Sequence, residues 1–185
     1  LLRVEEQGAG LSRGELLTMC MLLLVAGHET TTNLIASGLF CLLRDPEQRE
    51  LPRSRPELLA GAVEEALRFE SPIQRARHAV KEPTEIAGAL IPGGDVVTAV
   101  IGSANRDPEV FARPDRFDIA RGENHHLAFG RGPHFCLGAP LARLEGEIAF
   151  AAALGRFPAM ELETREPVWS GNTTVRALAS AVVRL

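Results

Sequence analysis

A cysteine among glycines, an acid–threonine pair inside a long apolar run, and a glutamate three residues ahead of an arginine are the side chains here that could do chemistry. Cys136 lies in Phe129-Gly130-Arg131-Gly132-Pro133-His134-Phe135-Cys136-Leu137-Gly138, directly ahead of a segment, Leu141 to Leu154, that reads as a helix. Glycines at 130, 132 and 138 permit positive φ and let backbone pass close to a flat, bulky ligand. A thiolate there would be stabilised by neighbouring amide N–H groups and by the positive end of the following helix. Such a sulfur, deprotonated, rigidly held and supplied with hydrogen bonds, meets the needs of an iron ligand. The competing reading of the cysteine alone is a buried thiol in a tight turn.

Ala26-Gly27-His28-Glu29-Thr30-Thr31 interrupts an otherwise apolar helical run. Gly27 leaves room against the helix, and a threonine hydroxyl can bond the carbonyl one turn back and bend it. Polar side chains at this point could relay protons from solvent into an apolar pocket; an ordinary polar kink is the alternative. Glu65-Ala66-Leu67-Arg68 places opposite charges three apart on one helix face, which by itself is a common surface pair. His125 and His126 are adjacent, with no third ligand at a zinc-like spacing, and read as surface or packing residues.

These groups need elements to hold them. Ser12-Arg13-Gly14-Glu15 is a capping box that starts a helix, and Asp45-Pro46 ends it near Leu43. About 30 residues span roughly 45 Å at 1.5 Å per residue. A helix of that length, apolar around most of its circumference, crosses the middle of a larger domain. Pro56 opens a second helix to about Phe69, closed by Ser71-Pro72. Strand-like runs cover Glu85 to Ile91 and Asp95 to Ile101, separated by Pro92-Gly93-Gly94. Ala104 to Asn124 has little periodicity and reads as an irregular, packed connection. Pro140 begins the last long helix, Gly155 ends it, and Ala177 to Val183 reads as a final strand.

Composition narrows the function classes. The chain has 185 residues, 45% hydrophobic content and a formal net charge of −4, enough to bury a core as one domain, 1–185, and unsuited to nucleic acid. Cysteines at 20, 41 and 136 give no close pairing and suggest a reducing compartment; Cys20 and Cys41 read as core thiols. The apolar run Met19 to Ala26 is far short of the ~20 residues of a membrane span. Leu1-Leu2-Arg3-Val4-Glu5 lacks the basic start and apolar core of a signal peptide, so the expectation is a cytoplasmic protein without membrane contact.

Taken together, the motifs resemble those of the cytochrome P450 family. The cysteine string has the form F-x-x-G-x-H-x-C-x-G of its haem-binding loop, and A-G-x-E-T-T is its oxygen-activation motif. Glu65 and Arg68 look like its E-x-x-R pair, completed by the arginine of Pro114-Asp115-Arg116-Phe117. Glu64 lies four residues from Arg68, so the spacing selects Glu65. The resemblance implies a mainly α fold with small β-sheets (α+β), the C-terminal portion of the P450 fold, with the chain beginning just before the central helix. It implies haem b, with Cys136 as proximal iron ligand, Phe129 packed near the sulfur, Gly130 and Gly138 shaping the loop, and His134 and Arg77 reaching the propionates. Arg77 is preferred to Arg75 from its distance to Glu85-Ile86, one of the two being expected to face inward. Gly27 would open a groove for dioxygen, Thr30 would hydrogen-bond the oxygen being activated, and Glu29 would help deliver protons. Glu65, Arg68 and Arg116 would lock the core on the haem side. The implied activity is a monooxygenase that inserts one atom of O₂ into a small organic substrate. Electrons would come from NAD(P)H through ferredoxin and ferredoxin reductase, since no flavin or nucleotide motif occurs. A peroxide-using haem-thiolate enzyme and a truncated, non-catalytic remnant are the alternatives.

Overall fold

The computed structural model describes residues 10–163 and 166–185; the signal-peptide reading of Leu1 to Glu5 therefore lies outside the described residues. Helix α1, Arg13–Arg44, starts as expected: the Ser12 hydroxyl accepts the Glu15 amide, and the Glu15 carboxylate accepts the Ser12 amide at 2.8 Å. Its two halves differ. Leu34, Phe40, Leu42 and Leu43 are buried, whereas Leu17, Met21, Leu22, Leu24 and Val25 are exposed.

Asp45-Pro46 ends α1 and also begins another helix, α2, Pro46–Ser54. The Asp45 carboxylate accepts the amides of Glu47 and Gln48, and proline occupies the first turn, where it gives up no bond. A 3₁₀ turn, Pro56–Leu58, leads into α3, Leu59–Phe69.

Two departures from the strand reading follow. Glu85 to Ile91 is not one strand: β2, Thr84–Ile86, turns at Ala87-Gly88 and pairs antiparallel with β3, Ala89–Ile91. Both turn residues take positive φ, +49° and +82°, as two-residue hairpin turns require. The strand β4, Val96–Val100, pairs instead with β1, Arg75–Ala79. A single turn of helix, α4, Ile101–Ala104, follows. Near the end, α5, Ala139–Arg156, is succeeded by β5, Glu161–Leu162, and β6, Val168–Trp169. The run from Ala177 splits into β7, Leu178–Ser180, against β6, and β8, Val183–Arg184, against β5.

The core lies where the C-terminal half of α1 meets α3 and α5: Leu34, Leu42, Val63, Leu67, Phe150 and Leu154 are buried there. Gly38 allows this close approach, since a Cβ built on it would lie 2.3 Å from Phe150 Cζ and 3.0 Å from Ala66 Cβ. The segment 105–128 has almost no regular structure and is tied down by a buried ion pair. Arg68 grips Glu65 with two hydrogen bonds of 2.8 Å, and both side chains are fully buried. Its remaining N–H groups donate to the carbonyls of Asn105, Pro114 and Arg116 at 2.8–3.1 Å. The expected third member is corrected. Arg116 contributes only its carbonyl, and its exposed guanidinium lies 3.9 Å from Glu47. The second guanidinium on Glu65 is that of Arg121, at 3.0 Å, joined by the Asp118 amide and the Asn124 side chain. Among the described residues, no helix is long and apolar enough to cross a membrane.

Candidate functional site

The middle of α1 and the start of α5 line a mostly apolar cavity of about 490 Å³. Val25, Ala26, Gly27, Glu29 and Thr30 line it from α1; Phe129, Gly130, Cys136 and Gly138 line it from the loop before α5; Pro72, Ile73 and Ala76 close another side. Two motifs separated by a hundred residues of sequence therefore meet at one cavity.

The cysteine loop is shaped by backbone bonds. Gly130 and Gly132 take φ of +72° and +78°, where a side chain would be strained. The Cys136 amide donates to the Phe129 carbonyl at 2.9 Å and the Gly130 amide to the Leu127 carbonyl at 2.9 Å, so the loop doubles back on itself. Gly138 departs from expectation: its φ is −82°, and it serves as the N-cap of α5 with no side-chain cap. The first amide of the helix, Ala139, donates back to the Cys136 carbonyl at 3.3 Å, so the cysteine sits at the positive end of α5. Cys136 is free and partly exposed, Cys41 is free and buried, and Cys20 is free and, contrary to the core reading, exposed. Burial pushes the Cys41 thiol up, with the nearby Glu70 carboxylate adding to it, so this thiol stays protonated.

On α1, the Thr30 hydroxyl donates to the Ala26 carbonyl at 2.8 Å, the back-bond anticipated for this segment. A Cβ built on Gly27 meets no atom within 4 Å, so the helix offers free space there. Glu29 is exposed at the cavity margin. Arg77 is placed less favourably. It lies in β1 opposite Thr98, and Arg75, two residues away, is on the same side of the strand. The expectation that exactly one of them faces inward is therefore wrong: both are exposed, and Ala76 lines the cavity. His134 closes the 3₁₀ turn Gly132–His134 and is exposed, outside the cavity lining.

Sequence reasoning missed Glu64, His126 and Arg143. Glu64 accepts Arg143 at 2.6 and 3.0 Å and lies 3.2 Å from His126 Nε2. The Arg143 guanidinium stands 4.7 Å from the Phe129 ring centre, within cation–π range. A lone arginine in the helical segment after the cysteine was the available signal. Burial opposes the charge on Glu64, but the hydrogen bonds from His126 and Arg143 outweigh it and hold the carboxyl at about 2.

Among the described residues, no group of three or more histidines, cysteines or acids could hold a metal ion. A lone cysteine sulfur at an apolar cavity, with the side-chain-free Gly27 on the helix wall, suits a metal that brings its remaining ligands in a planar organic frame. The residues present therefore fit haem.

The family model for cytochrome P450 matches residues 1–51 and 52–178. The chain belongs to the cytochrome P450 family. It is 50% identical to putative cytochrome P450 YjiB of Bacillus subtilis (strain 168), over all of this chain and 46% of that protein. It is 49% identical to cytochrome P450 monooxygenase PikC of Streptomyces venezuelae, over 97% of this chain and 44% of that one. Among solved structures, it superposes with a TM-score of 0.92 on myxobacterial cytochrome P450 CYP267B1 in complex with myristic acid, at 50% identity, covering 98% of this chain and 46% of the other. The chain thus spans about half the length of the P450 proteins it matches, and its helices and small sheets are those of that part of the P450 fold.

Proposed function

We propose that residues 1–185 are the C-terminal part of a single P450 haem domain, and that the whole protein is a haem-thiolate monooxygenase of the cytoplasm acting on a small organic substrate. The observation that carries this reading is the meeting of Cys136 and the Gly27–Thr30 turn at one apolar cavity. Haem b, when bound, would supply the oxygen chemistry, with electrons from NAD(P)H through ferredoxin and ferredoxin reductase.

This chain's residues have separable tasks. Cys136 would hold the iron through its sulfur, on a loop shaped by Phe129, Gly130 and Gly138. Gly27 keeps the α1 surface free of side chain. Thr30 can turn its hydroxyl proton from the Ala26 carbonyl toward the cavity, and Glu29, exposed at the margin, can exchange protons with water. Arg77 and His134, both solvent-facing in this chain, would pair with propionates at the edge of the group.

The test is Thr30→Ala in the complete, haem-loaded protein, following NAD(P)H consumed, peroxide formed and product formed. The expected result is unchanged haem binding with reducing equivalents diverted to hydrogen peroxide. Unchanged coupling would return Ala26–Thr31 to the role of a polar helix kink.

A further inference from the structure

Two consecutive acids on α3 divide between two networks. Glu65 faces the irregular segment 105–128, as described above. Glu64 faces the cysteine loop. Its carboxylate accepts Nε and Nη2 of Arg143 at 2.6 and 3.0 Å and lies 3.2 Å from His126 Nε2. His126 is itself buried to 3% exposure, and its Nδ1 accepts the Ala128 amide at 3.2 Å. The loop is thereby tied at 126–128.

Arg143 continues the chain of contacts toward the sulfur. Its guanidinium, aligned by the two-pronged bond to Glu64, stacks 4.7 Å from the Phe129 ring centre. Phe129 is also held edge-on by Phe135 at 6.2 Å and flanked by His126 at 5.9 Å. The Phe129 carbonyl in turn accepts the Cys136 amide at 2.9 Å. Three elements, α3, α5 and the loop, thus converge on the residue that fixes the cysteine backbone.

We propose that Glu64, His126 and Arg143 are positioning residues for Cys136: they immobilise Phe129, hence the backbone that carries the sulfur, and keep a permanent positive charge beside that loop. The role rests on the haem-thiolate reading for its purpose, but the clamp itself belongs to the protein alone. Arginine is required, because only its planar fork can engage the carboxylate with two bonds while laying a flat face on the ring. A lysine would keep the charge and lose both alignments.

The experiment is amide hydrogen exchange on the full haem-free chain, for wild type, Glu64→Gln, Arg143→Ala, Arg143→Lys and the double variant Glu64→Gln/Arg143→Ala. The Cys136 amide is the reporter, and the core amides of Leu67 and Phe150 report whether the fold survives. Loss of a charge-assisted pair corresponds to about tenfold or more in local opening. Arg143→Ala and Glu64→Gln should therefore speed Cys136 exchange by about tenfold, with Leu67 and Phe150 unchanged. Arg143→Lys should fall between, and the double variant should be no worse than Arg143→Ala. In haem-loaded protein, the same variants should lose the thiolate-type carbon-monoxide band faster than wild type. Unchanged Cys136 exchange in folded variants would overturn the proposal. So would acceleration shared equally by Leu67 and Phe150 in Arg143→Lys, which would mark an ordinary structural bridge. Failure of wild type to give a thiolate band with haem would instead sink the haem reading and leave the exchange result standing.

Discussion

Replacing the arginines around Glu65 one at a time should give three very different losses of stability. Arg68 makes two bonds to the buried Glu65 carboxylate and three to the carbonyls of Asn105, Pro114 and Arg116. Breaking a buried ion pair costs ~3–5 kcal/mol, because the remaining charge is uncompensated. Arg121, Asn124 and the Asp118 amide still serve Glu65, which places that part near the lower limit. The Arg116 carbonyl keeps Arg121 Nη2 at 3.1 Å, so two carbonyls, those of Asn105 and Pro114, are stranded and add about 1 kcal/mol each at the low end of the range. Arg68→Ala should therefore cost about 5 kcal/mol, comparable with the whole stability of a small domain. Arg121→Ala leaves the Arg68 bonds intact and should cost about 2 kcal/mol. Arg116→Ala should cost less than about 0.5 kcal/mol, since its own guanidinium is 45% exposed and makes only a long pair with Glu47. Urea unfolding followed by Trp169, the only tryptophan, gives the order directly. If Arg68→Ala proves insoluble, Arg68→Lys, which loses the fork and keeps the charge, supplies the first point of the series. An Arg116→Ala loss equal to that of Arg121→Ala would refute the assignment of Arg116 to a carbonyl role. An Arg68 variant within ~1 kcal/mol of wild type would refute the buried network itself.

Other substitutions and conditions probe neighbouring parts of the account. Gly38→Ala should destabilise by ~1–3 kcal/mol, because the new methyl would overlap Phe150 and press on Ala66; an unchanged urea midpoint would show that α1 and α5 can separate without cost. Glu64 supplies a pH signature. Its carboxyl is lowered from 4.5 to about 2, so its pairing is fully present above about pH 4.5 and is lost as pH falls toward 2. That shift corresponds to roughly 3 kcal/mol, reduced to about 1.5 because the side chain is 29% exposed and screened. Glu64→Gln should flatten the acid limb of the stability curve between those pH values, and an identical limb in the variant would remove Glu64 from the acid response.

What could be read from sequence follows the range of the interactions involved. The capping box at Ser12, the back-bond of Thr30 and the pairing of Glu65 with Arg68 are local, complete within four residues, and all three appear as expected. The meeting of the Gly27–Thr30 turn with the cysteine loop followed from the family resemblance, not from periodicity. Arg121 was missed because segment 105–128 has no period to say which guanidinium turns inward, and Pro114 to Phe117 drew attention to the wrong one. The strand β1 was hidden because Arg75-Ala76-Arg77-His78-Ala79 carries no strand-forming composition; its partner, Val96–Val100, supplies that. Asp45-Pro46 was read only as a stop, although aspartate before proline is equally a helix start. Glu64 was set aside because spacing along one helix cannot report a partner on another, and Arg143 lies 79 residues away. The exposed apolar residues of α1 agree with a helix that was expected to cross a larger domain, in a chain that spans about half of its relatives.

The central claim is that Cys136 alone supplies the protein's bond to haem iron. The direct measurement is the carbon-monoxide difference spectrum of the reduced, haem-reconstituted complete protein for wild type, Cys20→Ser, Cys41→Ala and Cys136→Ser. Cys20 is exposed on α1 and Cys41 is buried in the core with its thiol held protonated, so both variants should keep the thiolate-type band. Cys136→Ser should lose it while retaining the packing of Trp169 against Phe40. Persistence of the thiolate band in Cys136→Ser, or its loss in folded Cys20→Ser or Cys41→Ala protein, would contradict the assignment.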